Sequence, residues 1–394
     1  METVQKKIPK EWRLVELGDV CDFINGKTPL RSRNEYWLNG NIPWFTVDDI
    51  RSQGRIITKT NQTITILGLK ESGLKIVPKD TLLLCCTASV GEYAFAKIEL
   101  TTNQQFNAIV SKDKKIISPY YLYAIAPILK KHLENLMGTT TIGFVSLGKL
   151  RSISINLPPL KEQNKIADIL LAIDEEISKV DQIILRSERL KKGLSFRLST
   201  KGVNNKEFKK TKIGIIPKNW EIKKIKDLLS YERPDAYIVN SEIYSDNNAI
   251  PVLTANKSFV LGYTDENFGV CKGLPVIIFD DFTIDIKYVD FPFKVKSSAI
   301  KILRSKSNDQ SLRFMYELMK FTKFVTGGHK RYYISQYQNL EIAVPPQDEQ
   351  KNILEILSSV DKKIILNKQI KEELTKLKKG LMHDLLSGKV RVKI

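Results

Sequence analysis

Gly26-Lys27-Thr28 is the first place along the chain where residue types suggest chemistry, because glycine, lysine and a hydroxyl in that order close many phosphate-cradling loops. The spacing fails, since the opening glycine of such a loop would fall on Cys21. Asp281, Asp285 and Lys287 form a second cluster, carboxylates beside a lysine, of the kind that cleaves phosphodiesters. The interval between those carboxylates is short, and the first half of the chain has no counterpart. His132, His329 and His383 are scattered, without partners at metal-ligand or triad spacing. Cys21, Cys85, Cys86 and Cys271 contain no Cys-x-x-Cys pair, so neither zinc nor a disulfide framework is expected, and reduced thiols fit a cytoplasmic protein. No catalytic constellation emerges, and a non-catalytic role is expected.

The elements that carry these residues are written twice. Leu157–Leu194 begins LPPLKEQ and Val344–Leu381 begins VPPQDEQ; both end in LKKGL, and they align without a gap. Ile8-Pro9-Lys10-Glu11-Trp12 and Ile216-Pro217-Lys218-Asn219-Trp220 open the two copies. A duplication on this scale predicts two large units of similar fold rather than a short-period solenoid. It also disposes of a further motif. Asn156-Leu157-Pro158-Pro159 is similar to the Asn-Pro-Pro loop of amino-methyltransferases, but the second copy reads Ala343-Val344-Pro345-Pro346. A shared structural role at a helix start explains both.

Composition agrees with two folded units. The 394 residues exceed one ordinary core, and 42% hydrophobic residues suffice to bury two. Lysine and arginine number 63 against 44 acidic residues, a net charge of +19, which suits a polyanionic partner. The polar start Glu2-Thr3-Val4-Gln5-Lys6-Lys7 does not read as a signal peptide, and no apolar run approaches the ~20 residues of a membrane span.

Between the repeated segments lie strand-rich zones. Ile42–Val47, Thr81–Cys86, Tyr93–Ala96, Pro275–Phe279 and Ala299–Leu303 are short apolar runs bounded by Gly, Pro and Asp, and helices are expected over 119–136 and near 311–325. Each repeated segment predicts a helix of about 38 residues, or roughly 57 Å. Near-heptad spacing places Ile166, Ile169, Ile173, Val180, Ile183, Leu190 and Leu194 on one seam, and Ile353, Ile356, Val360, Ile370, Leu374, Leu377 and Leu381 on the other, with Asn367 as a polar register residue. An antiparallel coiled coil is the expected packing. The fold class is therefore α+β: two α/β domains separated by two long helices, with an internal pseudo-two-fold repeat.

With the paired PPLKEQ and PPQDEQ segments, Gly26-Lys27-Thr28-Pro29 before Ile42-Pro43-Trp44, Thr101–Ala108 (TTNQQFNA) and the terminal Leu386–Val392 (LSGKVRV), the chain resembles the specificity subunit of Type I restriction–modification systems. The resemblance spans essentially the whole sequence. It implies target-recognition domains over 1–157 and 206–344 and helical spacers over 158–205 and 345–394. Each domain would read one half of a split double-stranded DNA target. The spacers would dock two methyltransferase subunits, which hold S-adenosylmethionine, and restriction subunits could join. An autonomous bipartite DNA-binding regulator is the other reading.

Loop chemistry nominates the DNA contacts. Thr139, Thr140 and Thr141 in one unit and His329, Lys330, Arg331, Tyr332 and Tyr333 in the other sit in equivalent glycine-bearing loops. There, hydroxyls, cations and aromatics suit phosphates and base edges. Lys27, Thr28, Arg31 and Arg33 make a basic loop, and Thr87 and Ser89 follow an apolar strand.

Overall fold

The computed structural model describes residues 9–137, 144–254, 258–307, 311–322, 324 and 330–393. It resolves into two compact units: residues 1–181 with 370–394, and residues 182–369. Both long helices are therefore shared, each giving one half to either unit.

The first unit is built on a five-stranded sheet ordered Cys21–Asn25, Phe106–Ser111, Thr81–Cys85, Tyr93–Ala96 and Ile56–Ile57. Thr81–Cys85 lies at its centre with all five residues buried, which is why it reads as an unbroken apolar run rather than an alternating one. A three-stranded sheet (Gln62–Ile64, Ile42–Phe45, Thr101–Thr102) and the pair Arg13–Glu16 with Ser154–Leu157 complete it. The helix Pro119–Met137 packs its buried Tyr121, Leu122, Ile125, Leu129 and Leu133 into the main core.

The second unit repeats this order, its main sheet having four strands and no described counterpart of Ile56–Ile57. Leu229–Glu232, Ile300–Ser305, Val276–Asp280 and Ile286–Val289 form the main sheet. Val260–Thr264, Ile250–Leu253 and Lys294–Val295 form the small one, and Glu221–Lys224 pairs with Glu341–Val344. Even the parallel pairings recur, Trp44 with Thr101 and Val252 with Lys294. The helix expected near 311–325 is shorter, Leu312–Met319. A hairpin of Phe208–Thr211 and Gly214–Pro217 is described only in this unit.

The repeated tryptophans and glutamates meet. Trp12 Nε1 donates to Glu162 Oε2 at 2.9 Å, and Trp220 Nε1 donates to Glu349 Oε2 at the same distance. Each glutamate also holds the chain just beyond the end of the other long helix. Arg391 Nε and Nη2 donate to Glu162 at 2.6 and 2.9 Å, while the Val203 amide donates to Glu349 at 2.9 Å. Glu162 is wholly buried and Glu349 half-buried, and a carboxylate taken out of water needs such partners, so the PPxxEQ repeat is a packing device at each helix start. The glutamine after it bonds back to the proline pair, Gln163 Nε2 donating to Pro158 O and Gln350 Nε2 to Pro345 O, and Gln163 also donates to Ile116 O and accepts from the Ser118 amide.

The long helices span Leu160–Lys201 and Gln347–Leu386, 42 and 40 residues. They run antiparallel within each unit, as their ion pairs show. Asp174 meets Lys378 and Asp181 meets Lys371 in the first unit; Glu188 meets Lys368 and Asp361 meets Lys191 in the second. Ile166, Ile173, Val180, Leu194, Ile353, Val360, Asn367, Leu374 and Leu381 are buried or half-buried along the inward line. Ile169 and Ile356 pack beside it, against the domain cores. Ile183, Leu190, Ile370 and Leu377 are exposed, contrary to their placement on the seam. The inward line passes one residue later, through Ile184, Lys191, Lys371 and Lys378, of which Ile184 is buried and the lysines are half-buried. There the lysine stems lie inward while their ammonium groups reach aspartates, so an apolar-letter count selects the wrong neighbour. Asn367 Nδ2 donates to Lys363 O in its own helix, at 2.8 Å, and has no bond across the pair among the described residues.

These positions separate by mutation. Ile184→Asp, which buries a carboxylate, should cost the second unit about 3 kcal/mol, whereas Leu190→Asp should change stability by less than about 0.5 kcal/mol. Urea melts followed by circular dichroism check this; equal effects at the two positions would refute an inward line through Ile184.

Candidate nucleic-acid interface

In the first unit three loops converge where the central strands end. Gly26 lies so close to Thr102 and Asn103 that an added Cβ would fall 2.0 Å from Asn103 O, which explains a glycine there. The Lys27 amide donates to Thr102 O at 2.9 Å, the Thr28 hydroxyl donates to Gln104 Oε1, and Trp44 Nε1 donates to Lys27 O at 3.1 Å. Next door, the Cys86 amide donates to Gln105 O at 2.9 Å, which sets Thr87 and Ser89 beside the same segment. Val145 in turn donates to Cys86 O, and Phe144 forms a β-bridge with Thr87. Thr139, Thr140 and Thr141 lie outside the described residues.

The charges of this loop are not equivalent. Arg31 is exposed, its guanidinium carbon 3.8 Å from the Trp37 ring centroid and 4.7 Å from that of Trp44, and Nη1 donates to Gln62 Oε1 at 2.7 Å. This is a guanidinium held flat by aromatic faces, with no carboxylate against it among the described residues. Arg33 instead donates to Glu71 Oε2 at 2.7 Å and to the Tyr36 hydroxyl, so its charge is answered internally. Lys27 and Thr28 are exposed, Thr87 and Ser89 half-buried.

The second unit uses the same frame with different side chains. The Asp281 amide donates to Ala299 O at 3.0 Å, and the Tyr332 amide donates to Asp281 O at 3.0 Å, reproducing the bonds of Cys86. Burial pushes the Cys86 thiol up to about 11, so that position is neutral in the first unit. In the second, the Asp281 carboxylate accepts from the Tyr333 amide at 2.7 Å and stands 3.4 Å from Lys301 Nζ, both side chains being almost wholly buried. Asp281 is thus an anchor for the Arg331 loop. Tyr332 and Tyr333 are 2% and 0% exposed, so they are core residues and not surface aromatics. Their amides are tied to Asp281, and Tyr333 packs its ring 5.1 Å from Phe279. Lys330 and Arg331 remain exposed, with Arg331 5.8 Å from the Phe282 ring; His329 lies outside the described residues.

Sequence reasoning misses two participants. Gln104 and its neighbours link the Lys27 and Thr87 loops, whereas the TTNQQFNA motif by itself suggests no role. Lys301 is invisible in sequence because an apolar strand with one lysine does not reveal which way that lysine faces.

Two units of one topology, each ending in a polar, cation-bearing loop cluster and joined by paired helices, define a duplicated recognition protein. The sequence pattern of the Type I restriction modification DNA specificity domain matches residues 9–185 and again 217–376, and the chain belongs to that family. It is 30% identical to the Type I restriction enzyme MjaIX specificity subunit of Methanocaldococcus jannaschii over 99% of this chain and 96% of that one. The EcoR124I/EcoR124II specificity subunit of Escherichia coli is 40% identical over 39% of this chain and 40% of its own length. The fold is similar to the crystal structure of the Type I restriction–modification S subunit from M. genitalium, with a TM-score of 0.60, 14% identity and 98% of each chain covered. The chain is accordingly a specificity subunit, a recognition component and not a catalytic one. Among the described residues no helix is long and apolar enough to cross a membrane.

Proposed function

We propose that each unit reads one half of a bipartite double-stranded DNA target inside a cytoplasmic Type I restriction–modification complex. The recognition domains are 1–157 and 206–344, and the spacers are 158–205 and 345–394. The observation that carries this is the repeated frame with divergent loops. The buried Cys86 gives way to the buried Asp281–Lys301 pair under the same backbone bonds, so one scaffold anchors differently built loops, whose exposed side chains differ between the units. Arg31, Lys27 and Thr28 in the first unit and Lys330 and Arg331 in the second are the proposed contacts. Arginine suits phosphate or the guanine edge through its planar fork.

The paired helices dock two methyltransferase subunits, which carry S-adenosylmethionine, and a restriction subunit can join the assembly. Leu185, Leu190, Ile365 and Leu366, apolar yet exposed along the helices of the second unit, and Leu377 in the first, offer the apolar contact such docking needs. Co-expression with a methyltransferase subunit, followed by mapping of methylated adenines, tests the reading: a split motif is expected, and a stable chain that neither recruits the methyltransferase nor directs methylation would refute it.

Arg331→Ala should weaken binding of the cognate duplex and flatten the slope of log K against log salt by about 0.9, without altering the melting curve. A fluorescence anisotropy titration across a salt series measures both; an unchanged slope and affinity remove Arg331 from the interface.

A further inference from the structure

The first unit holds a cavity of about 800 Å³ that none of the proposed DNA contacts lines. It is a trough between two helices. Pro127, Ile128, Lys131, His132 and Asn135 line one wall, spaced so that they share one face of the helix Pro119–Met137. The other wall is the last turns of the second long helix, from Thr375 to Ser387. At 1.5 Å per residue the walls run for roughly 12–17 Å, two to three helical turns.

The floor is apolar and the rim basic. Ile128 and Met382 are half-buried and Leu386 is buried, with Asn156 Nδ2 donating to Leu386 O at 3.2 Å to fix the bottom of the trough. Two of the cations around it are already answered: Lys378 by Asp174 and Arg55 by Glu92. Lys131, His132, Lys379 and His383 are exposed and have no ion-pair partner among the described residues. Among the described residues no aspartate or glutamate lines the cavity.

The second unit supplies an internal comparison. Its counterpart trough is lined by Phe196 and Thr200 on the other long helix and by Leu318 and Phe321. The apolar edge of this chain's own hairpin, Ile213 and Ile215, also lines it, and among the described residues no lysine, arginine or histidine does. Phe196 stands where the aligned repeat has His383. The position therefore receives an apolar segment in one unit, and the same position in the other unit is open and rimmed with cations.

We infer that the trough of the first unit is the seat of an acidic amphipathic helix from a partner protein, its apolar stripe on Ile128, Met382 and Leu386 and its carboxylates facing Lys131 and Lys379. Two parallel-sided walls several turns long suit a helical rod laid between them. Cations on both walls select one whose apolar stripe is flanked by acids on both sides, and methionine adapts to the exact shape of the apolar side chains.

The test uses the full chain and a synthetic 16-residue peptide with leucines at helical spacing flanked by glutamates, followed by fluorescence anisotropy. The wild-type chain should bind it at least about tenfold more tightly than a scrambled peptide of equal composition, and Lys131→Glu/Lys379→Glu should lower affinity by about tenfold or more. Both lysines are exposed, so the double variant should keep its circular dichroism melt; should it not, Lys131→Gln/Lys379→Gln serves instead. Equal binding of the scrambled peptide would show that net charge alone attracts it and would overturn the inference. So would indifference to the lysine changes, or displacement of the peptide by duplex DNA through the same two lysines. Neither DNA reading nor a methyltransferase enters the assay, so its failure leaves the proposed function standing, and the converse holds.

Discussion

Lys301→Met should lower the stability of the second unit by about 3–5 kcal/mol, because it leaves the Asp281 carboxylate buried without its cation. Methionine preserves the stem and the volume, so the loss reports charge and not a cavity. Asp281 would keep the bond from the Tyr333 amide, but one neutral donor does not replace an ammonium 3.4 Å away. Pairing Lys301→Met with Asp281→Asn should recover most of the loss, since a neutral amide still accepts from Tyr333 and no charge remains buried. Trp220 is the only tryptophan of this unit, the other three, Trp12, Trp37 and Trp44, belonging to the first, so its fluorescence in a urea titration follows the right transition. A single variant within about 1 kcal/mol of wild type would mean that the ion pair is not structural. The single variant should also weaken DNA binding by the Arg331 loop, because Asp281 ties both tyrosine amides that follow it.

Removing residues 387–394 should destabilise the first unit and leave the second intact. Arg391 gives Glu162 two of its hydrogen bonds, and Glu162 is wholly buried, so among the described residues the truncated chain retains only the Trp12 indole against that carboxylate. Gly388 goes as well, a residue with φ of 72° whose close approach to Pro9 and Trp12 leaves no room for a side chain. A fall of roughly 10 °C in the first of two thermal transitions is expected, measured by differential scanning calorimetry, with the second unmoved. Glu162→Gln in the truncated chain should restore part of the loss by removing the unpaired charge. If truncation moved both transitions equally, or neither, the assignment of the carboxyl-terminal tail to the first unit would be wrong.

Much of the architecture was legible because the chain repeats itself. The paired PPxxEQ segments and the two Ile-Pro-Lys-x-Trp openings mark equivalent points of two units, and the structure shows why both had to recur: tryptophan and glutamate bond to each other. The long helices were legible from length and spacing. The inward line along them was less so, since Lys191, Lys371 and Lys378 sit inward beside apolar residues that do not, and a lysine stem is apolar in space while its letter is not. The loops were the least legible part. Tyr332 and Tyr333 follow two cations and read as surface, yet they are turned inward by an aspartate far back in the chain, a partnership that only the folded sheet creates. Arg31 and Arg33 look alike in sequence; Glu71 answers one of them and aromatic rings support the other.

The division of the chain between the units sets an order of events during synthesis. Residues 182–369 are one uninterrupted run, whereas the first unit joins residues 1–181 to 370–394. On a ribosome the second unit can therefore close its core, with Trp220 locked to Glu349, before the first unit has all of its parts. Until Leu385, Leu386 and Arg391 emerge, the core around Ile166 and Leu170 is missing a wall and Glu162 is missing its cation. The portion translated first is completed last, and a chain that ends just after residue 369 would carry one finished reader and one unfinished one that quality-control proteases can recognise.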